Sequence, residues 1–267
     1  MKIWTYTTRS RSVVVFCLLV IAATAHAASL NDTGVTTCRN HATGVDEACA
    51  LGTHGAQDGA VGRDRAATTV GSGLTKVGAG GAGFDFTKIS NAGADLAATI
   101  ALGTATGDWA CTRDNVTGLT WDVLPQSTAG NVLRRADWAF TWYEPNNAIN
   151  GGGVGTPSTA GGCQVGSRCD TNKYVVDVNA LTTALCGQRD WRLPTADELM
   201  TLVSFGGVTP KIDGSYFPNT SGNPYWTSTP SASVTTWAWS VSMSDGSASR
   251  SAQKQTPLRI RLVRSGI

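Results

Sequence analysis

Hydrophobic and polar positions change rhythm several times along the 267-residue chain. From Gly83 to Ile89, Phe84, Phe86 and Lys88 alternate with Asp85, Thr87 and Ile89, which is the period of a strand. Trp109, Cys111 and Arg113 alternate in the same way, as do Leu119, Trp121 and Val123. Asp114-Asn115 and Gly118 lie between the two runs and predict a pair of strands around a tight turn. Val175, Val178, Leu181 and Leu185 then recur at helical spacing and predict one amphipathic helix through that segment.

Thr195-Ala196-Asp197-Glu198 has the spacing of a capping box and precedes Leu199, Met200, Leu202 and Val203, so a second helix starts there. Pro194 disfavours helical backbone at Leu193 and sharpens the corner. Beyond it, Tyr225–Thr229 and Trp237–Met243 read as strands, with Trp237, Trp239, Val241 and Met243 on one face. Asp245-Gly246 marks a turn. In the last run Leu258, Ile260 and Leu262 face one way, and Arg259 and Arg261 the other. The final third is therefore expected to be an antiparallel sheet with one apolar side.

The N-terminus changes the compartment. Lys2, Arg9 and Arg11 precede an apolar run, Val13 to Ala23, and Ala25-His26-Ala27 is a small-x-small cleavage site. Residues 1–27 read as a secretory signal peptide, too short for a lasting membrane span. The mature chain is expected in the periplasm, at the outer surface or outside the cell, with no transmembrane segment. Removal of the leader takes three cations and leaves 18 Lys and Arg against 19 acids, a net charge of −1. A near-neutral surface argues against nucleic acid as a partner. Residues 28–107 are rich in Gly and Ala and poor in aromatics, whereas all tryptophans outside the leader lie at or beyond Trp109. A Gly/Ala-rich arm, partly strand, followed by one domain over 108–267 is the expected organisation.

Leader removal also leaves six cysteines: Cys38, Cys49, Cys111, Cys163, Cys169 and Cys186. In an exported chain an even number points to disulfides, and fifteen connectivities are open. Cys38–Cys49 and Cys163–Cys169 are the local pairs in loop-like sequence, and Cys111–Cys186 is what remains. Cys38, His41, Cys49 and His54 have zinc-like spacing, but an oxidising compartment favours a disulfide beside two exposed histidines, and no metal or other cofactor is expected.

The stretches DNVTGLTWDV, CGQRDWRLPTADEL, YFPN, YWTST, WAWSVSMSDG and RIRLVR follow one another in this order. In that order the chain resembles, over roughly 108–265, the C-terminal domain of the Legionella collagen-like adhesin and its bacterial relatives. That family is similar to C-type-lectin-like folds and, more distantly, to formylglycine-generating enzymes, which share the RLPT step into a helix. The resemblance implies an α+β, C-type-lectin-like domain with two helices and a twisted antiparallel sheet on an exported protein, and a sulfated glycan as the kind of ligand the namesake binds. Many members carry a cysteine where this chain has Leu262, so Cys186 needs another partner, and Cys111 is the one implied.

The formylglycine-generating relatives bind copper through a late cysteine pair, and no cysteine follows Cys186 here. No histidine lies in the domain, which removes the usual base of a triad. Glu144-Pro145-Asn146 resembles the calcium-and-sugar triplet of mannose-type lectins, but it lies before the capped helix instead of after it. The expectation is a non-catalytic, adhesin-like binding protein for a glycan or a surface protein. The alternative is a structural subunit of an envelope appendage, with self-association through the arm. Trp142 and Tyr143 border a long Gly-rich loop at 144–170 and suit sugar stacking. Arg250, Lys254, Arg259 and Arg261 are expected to form a cationic stripe whose arginines fit sulfate or carboxylate.

Overall fold

The computed structural model describes residues 31–126, 133–158, 162–163 and 166–266. The leader expected at 1–27 lies outside the described residues. The architecture is mixed, mostly antiparallel strand with four short α-helices among the described residues. At the N-terminal end β1 (Thr37–Arg39) and β2 (Asp46–Ala48) form a hairpin, followed by α1 (Leu51–His54) and α2 (Gly62–Thr68). The Cys38–Cys49 disulfide staples this hairpin. His54 departs from its expected exposure. It is buried, its Nδ1 accepts from the Ala50 amide at 3.1 Å, and its Nε2 lies 3.0 Å from Glu47.

The central sheet contains β3 (Phe86–Ser90), β4 (Asp95–Leu96), β5 (Trp109–Asp114), β6 (Leu119–Asp122) and β10 (Val263–Ser265), in the order β10-β6-β5-β3-β4. The turn between β5 and β6 forms because the Asp114 carboxylate accepts from the amides of Val116 and Thr117 and from the Thr117 hydroxyl. Gly118, at φ +74°, supplies the left-handed residue that completes it. β3 lies between β4 and β5, so this sheet crosses the boundary expected at 107/108. Phe84 and Phe86 are buried with Trp109, Trp121, Leu199 and Phe217 in one core cluster. Burying a side chain of that size is worth about 1.5–3 kcal/mol, which is reason enough for the preceding segment to join the domain.

A second sheet holds β7 (Pro224–Pro230), β8 (Trp237–Ser242) and β9 (Ala248–Gln253), in the order β7-β8-β9. The β8–β9 register shifts between Ala238 and Ser240. The shift turns Ala238, Ser240, Val241 and Met243 inward and leaves Trp237 and Trp239 half-exposed, which breaks the single apolar face expected from alternation. The last run also departs from the expected single antiparallel sheet over the final third. Val263–Ser265 pairs with β6 in the other sheet, and Leu258 and Arg259 make only isolated bridges to Phe140 and Tyr225. Ile260 through Arg264 are all buried, arginines included, because this segment has structure on both faces.

The two remaining helices are α3 (Thr171–Asn179) and α4 (Ala196–Met200). The expected helix through Leu185 stops at Asn179. The Arg189 guanidinium holds the chain that leaves the helix, donating to Asn179 O at its end and to Leu181 O and Thr182 O beyond it, at 2.9, 2.7 and 3.1 Å. The Asn179 side chain meanwhile pairs with both backbone groups of Trp191. Leu185 still reaches the second core cluster, with Trp142, Tyr174, Trp191, Trp226 and Leu262. The Cys111–Cys186 disulfide, 75 residues apart in sequence, joins β5 to the segment after α3, and Cys163–Cys169 closes a short loop.

Candidate functional site

The stretch Cys186–Leu199 is built as a corner. The Thr195 hydroxyl accepts from the Glu198 amide at 3.2 Å, and Glu198 accepts from the Thr195 amide at 2.8 Å, which closes the capping box. The same carboxylate receives two bonds from Arg192, at 2.7 and 2.6 Å. Arg264 holds Asp190 in the same forked way, and Trp191 is buried with its indole N–H on Leu185 O. Asp197 is exposed in the first turn, where it complements the helix dipole.

Burial works against ionisation of Glu198, but the Arg192 guanidinium and the Thr195 amide outweigh it and hold the carboxyl below its ordinary pKa. A depressed folded-state pKa contributes stability above the unfolded value, and that contribution is lost as pH falls through the folded value. Glu198→Gln is therefore expected to lower stability at neutral pH by about 1–2 kcal/mol, since a charge-assisted pair and a cap are both weakened. The deficit should shrink as pH drops below the carboxylate range. Urea melts at pH 7 and pH 3 check this, and an equal deficit at both pH values would remove the linkage.

Against this corner lies a cavity of about 380 Å³, lined by Tyr143, Glu144, Ile149, Asn172, Val175, Leu193 and Ser228 with the edges of Trp142, Thr171, Arg192 and Thr195. Three segments meet there. α3 is placed by Asp170, whose side chain caps it by accepting from the Lys173 amide. Tyr143 is placed by a reciprocal pair: its amide donates to the Thr171 hydroxyl and its carbonyl accepts from it. The loop beyond Glu144 is placed by Lys254, whose ammonium donates to Asn150 O and Gly153 O at 2.9 and 2.5 Å and sits 4.1 Å over the Trp142 ring. The Trp142 indole N–H donates to Thr227 O at 2.8 Å. Val175, Leu193 and Ile149 give the cavity apolar walls. Tyr143, Asn172 and Ser228 also line it, and their side-chain polar groups have no hydrogen-bond partner among the described residues. Such a site can hold a compact ligand with one apolar face and several hydroxyl or amide groups.

The residues expected at a binding surface separate on folding. Tyr143 is half-buried and lines the cavity, while Trp142 is 1 % exposed and reaches it only at an edge. The cationic stripe is corrected: Lys254 is 2 % and Arg261 1 % exposed. Lys254 is spent on loop carbonyls, and Arg261 on Asp122 O and the Thr220 hydroxyl. Arg250 lies exposed on β9, and Arg259 is half-buried in a separate depression with Asp137 and Asn219. Most other described cations are also engaged. Arg39, Arg113, Arg134, Arg135, Arg168, Lys173, Arg192 and Arg264 pair with carboxylates. Arg63, Arg65, Lys76, Lys88, Arg189 and Lys211 donate to backbone carbonyls. Arg250 and Arg259 are the cations among the described residues whose side chains make neither a hydrogen bond nor an ion pair.

Asn172, Val175, Leu193 and Ser228 were not singled out for binding, because their convergence depends on tertiary placement. Trp142 and Tyr143 carry a signal as aromatics beside the Gly-rich loop, and Glu144 carries one through its triplet with Pro145 and Asn146. Elsewhere, carboxylate oxygens of Asp32, Asp58 and Asp64 lie within 4.8 Å of one another, near the segment that leads into β1. Donors within the protein serve this group: the Gly83 amide on Asp64, the Asp64 amide on Asp32, and the Thr33 hydroxyl on Asp58.

No helix among the described residues is long and apolar enough to cross a membrane. No curated protein and no solved structure matches the chain. Residues 110–264, more than half of the chain, match the family model of the Lcl C-terminal domain. That match, with three disulfides, is consistent with an extracellular or surface location and an adhesin-like role. The chain belongs to the Lcl C-terminal domain family.

Proposed function

We propose that this is an exported, surface-acting, non-catalytic binding protein of C-type-lectin-like type that takes a saccharide unit in the cavity beside Tyr143. The observation that carries the reading is the composition of that cavity. Apolar walls from Ile149, Val175 and Leu193 suit the C–H face of a sugar ring. The unpartnered Tyr143, Asn172 and Ser228 groups suit its hydroxyls. The charged residues of the neighbouring corner are committed to the cap and its ion pairs, which favours recognition over bond-breaking.

A glycan array probed with the mature protein, with Tyr143→Ala and with Val175→Trp tests the reading. Each variant is expected to weaken the leading signal at least tenfold, or ~1.4 kcal/mol, with an unchanged far-UV spectrum and melting temperature. A mature protein that captures no glycan, or capture that survives both substitutions, refutes it.

A further inference from the structure

On the other side of the loop held by Lys254 runs a separate groove of about 490 Å³. Its lining includes Trp237, left half-exposed by the register shift in β8. One wall is Thr235 and Thr236, and the other is the loop at Gly153–Thr156. The two sides meet at Gly153, where an added Cβ would fall 2.4 Å from Thr235 O, so glycine is what lets the loop approach the Thr235 backbone this closely. Gln253 is the direct partner of Trp237 across the β8–β9 ladder and stands beside it.

We propose that this groove is a second contact site, for an uncharged saccharide chain. The hydrogen-bonding groups argue for that class. Gln255 Nε2 donates to Gln253 Oε1 at 3.0 Å. That bond fixes the two amides against each other and leaves, on two exposed side chains, an NH₂ on Gln253 and a carbonyl oxygen on Gln255 without a partner among the described residues. A donor and an acceptor side by side match two neighbouring sugar hydroxyls, each of which both gives and accepts. The arrangement is the same if both amides are rotated. The half-exposed indole offers an apolar face for a ring to lie on, and its N–H has no hydrogen-bond partner among the described residues. Charge points the same way. No carboxylate lines the groove, and its one cation, Lys254, is buried with its ammonium on the Asn150 and Gly153 carbonyls. A sulfated or carboxylated chain would find no counter-charge there.

The test is affinity electrophoresis of the mature protein in native gels containing dextran, laminarin or galactomannan, with a heparin gel beside them. Retardation is expected in at least one of the uncharged gels. Trp237→Ala and Gln253→Glu should each raise the polysaccharide concentration needed at least fivefold, and Val208→Ala, at an exposed position that lines neither the groove nor the cavity, should leave it unchanged. Gln253 is exposed, so its variant keeps the test decisive if Trp237→Ala lowers the melting temperature. Three outcomes overturn the proposal: no retardation in any uncharged gel, retardation in heparin alone, or retardation equal to wild type in both groove variants. Retardation lost in Tyr143→Ala but kept in the groove variants would place the sugar in the cavity and likewise reject the groove, leaving the function proposed above intact.

Discussion

Arg261→Glu is expected to destabilise the protein by roughly 4 kcal/mol or more, whereas Arg259→Glu, two residues away, should stay within about 0.5 kcal/mol of wild type. The difference is one of burial. Arg261 Nη1 donates to Asp122 O at 2.6 Å, Nη2 donates to the Thr220 hydroxyl at 2.9 Å, and the guanidinium lies 5.0 Å over the Phe217 ring. Asp122, itself fully buried and paired with Arg134, is its neighbour. A glutamate at 261 would strand the Asp122 carbonyl and bring a second carboxylate towards Asp122, in a place where water cannot solvate either. Arg259 makes no such bond and is half-buried at the surface. Urea unfolding of the two single variants checks this, and equal midpoints would show that the arginine at 261 is dispensable to the core. Heparin retention of Arg259→Glu should differ little from wild type, because two of the cations expected beside it, Lys254 and Arg261, are consumed inside the fold.

The second large effect is covalent. Replacing Cys111 and Cys186 together by alanine is expected to cost about 4 kcal/mol, since the bridge closes 75 residues and the chain-entropy model scales with the logarithm of that length. The same change at Cys163 and Cys169, which are 6 apart, should cost nearer ~2 kcal/mol. Reversible unfolding with and without reductant, on both double variants, gives the comparison. A larger loss from the short bridge would mean that native-state packing, not chain entropy, sets the value of these links.

Local rules made the strands around Asp114–Gly118, the capped start of α4 and the segregation of the tryptophans legible in the sequence. In each case the signal lies within a few residues: a carboxylate bonding the amides two and three positions on, or a threonine and a glutamate three apart. Family resemblance supplied the pairing of Cys186. Three features were hidden because a distant partner decides them. α3 ends early because Arg189 and the Asn179 side chain tie the chain that follows into a non-helical course, through the Asn179, Leu181 and Thr182 carbonyls and the Trp191 backbone. Trp237 and Trp239 turn outward because β8 slips against β9. Arg261 and Lys254 look like surface cations by alternation, yet carbonyls brought in from far along the chain draw them inward. The cavity beside Tyr143 belongs with these. Its lining comes from residues 142–149, 171–175, 192–195 and 228, and no stretch of sequence shows that they meet.

Lys254 grips the loop through the backbone oxygens of Asn150 and Gly153, so the loop's position barely depends on which side chains several of its residues carry. Ala148, Ile149 and Val154 can change identity while the carbonyls stay clasped. The domain thereby separates holding a rim in place from deciding what that rim touches, and relatives could diversify their targets by editing a few exposed positions without rebuilding the scaffold.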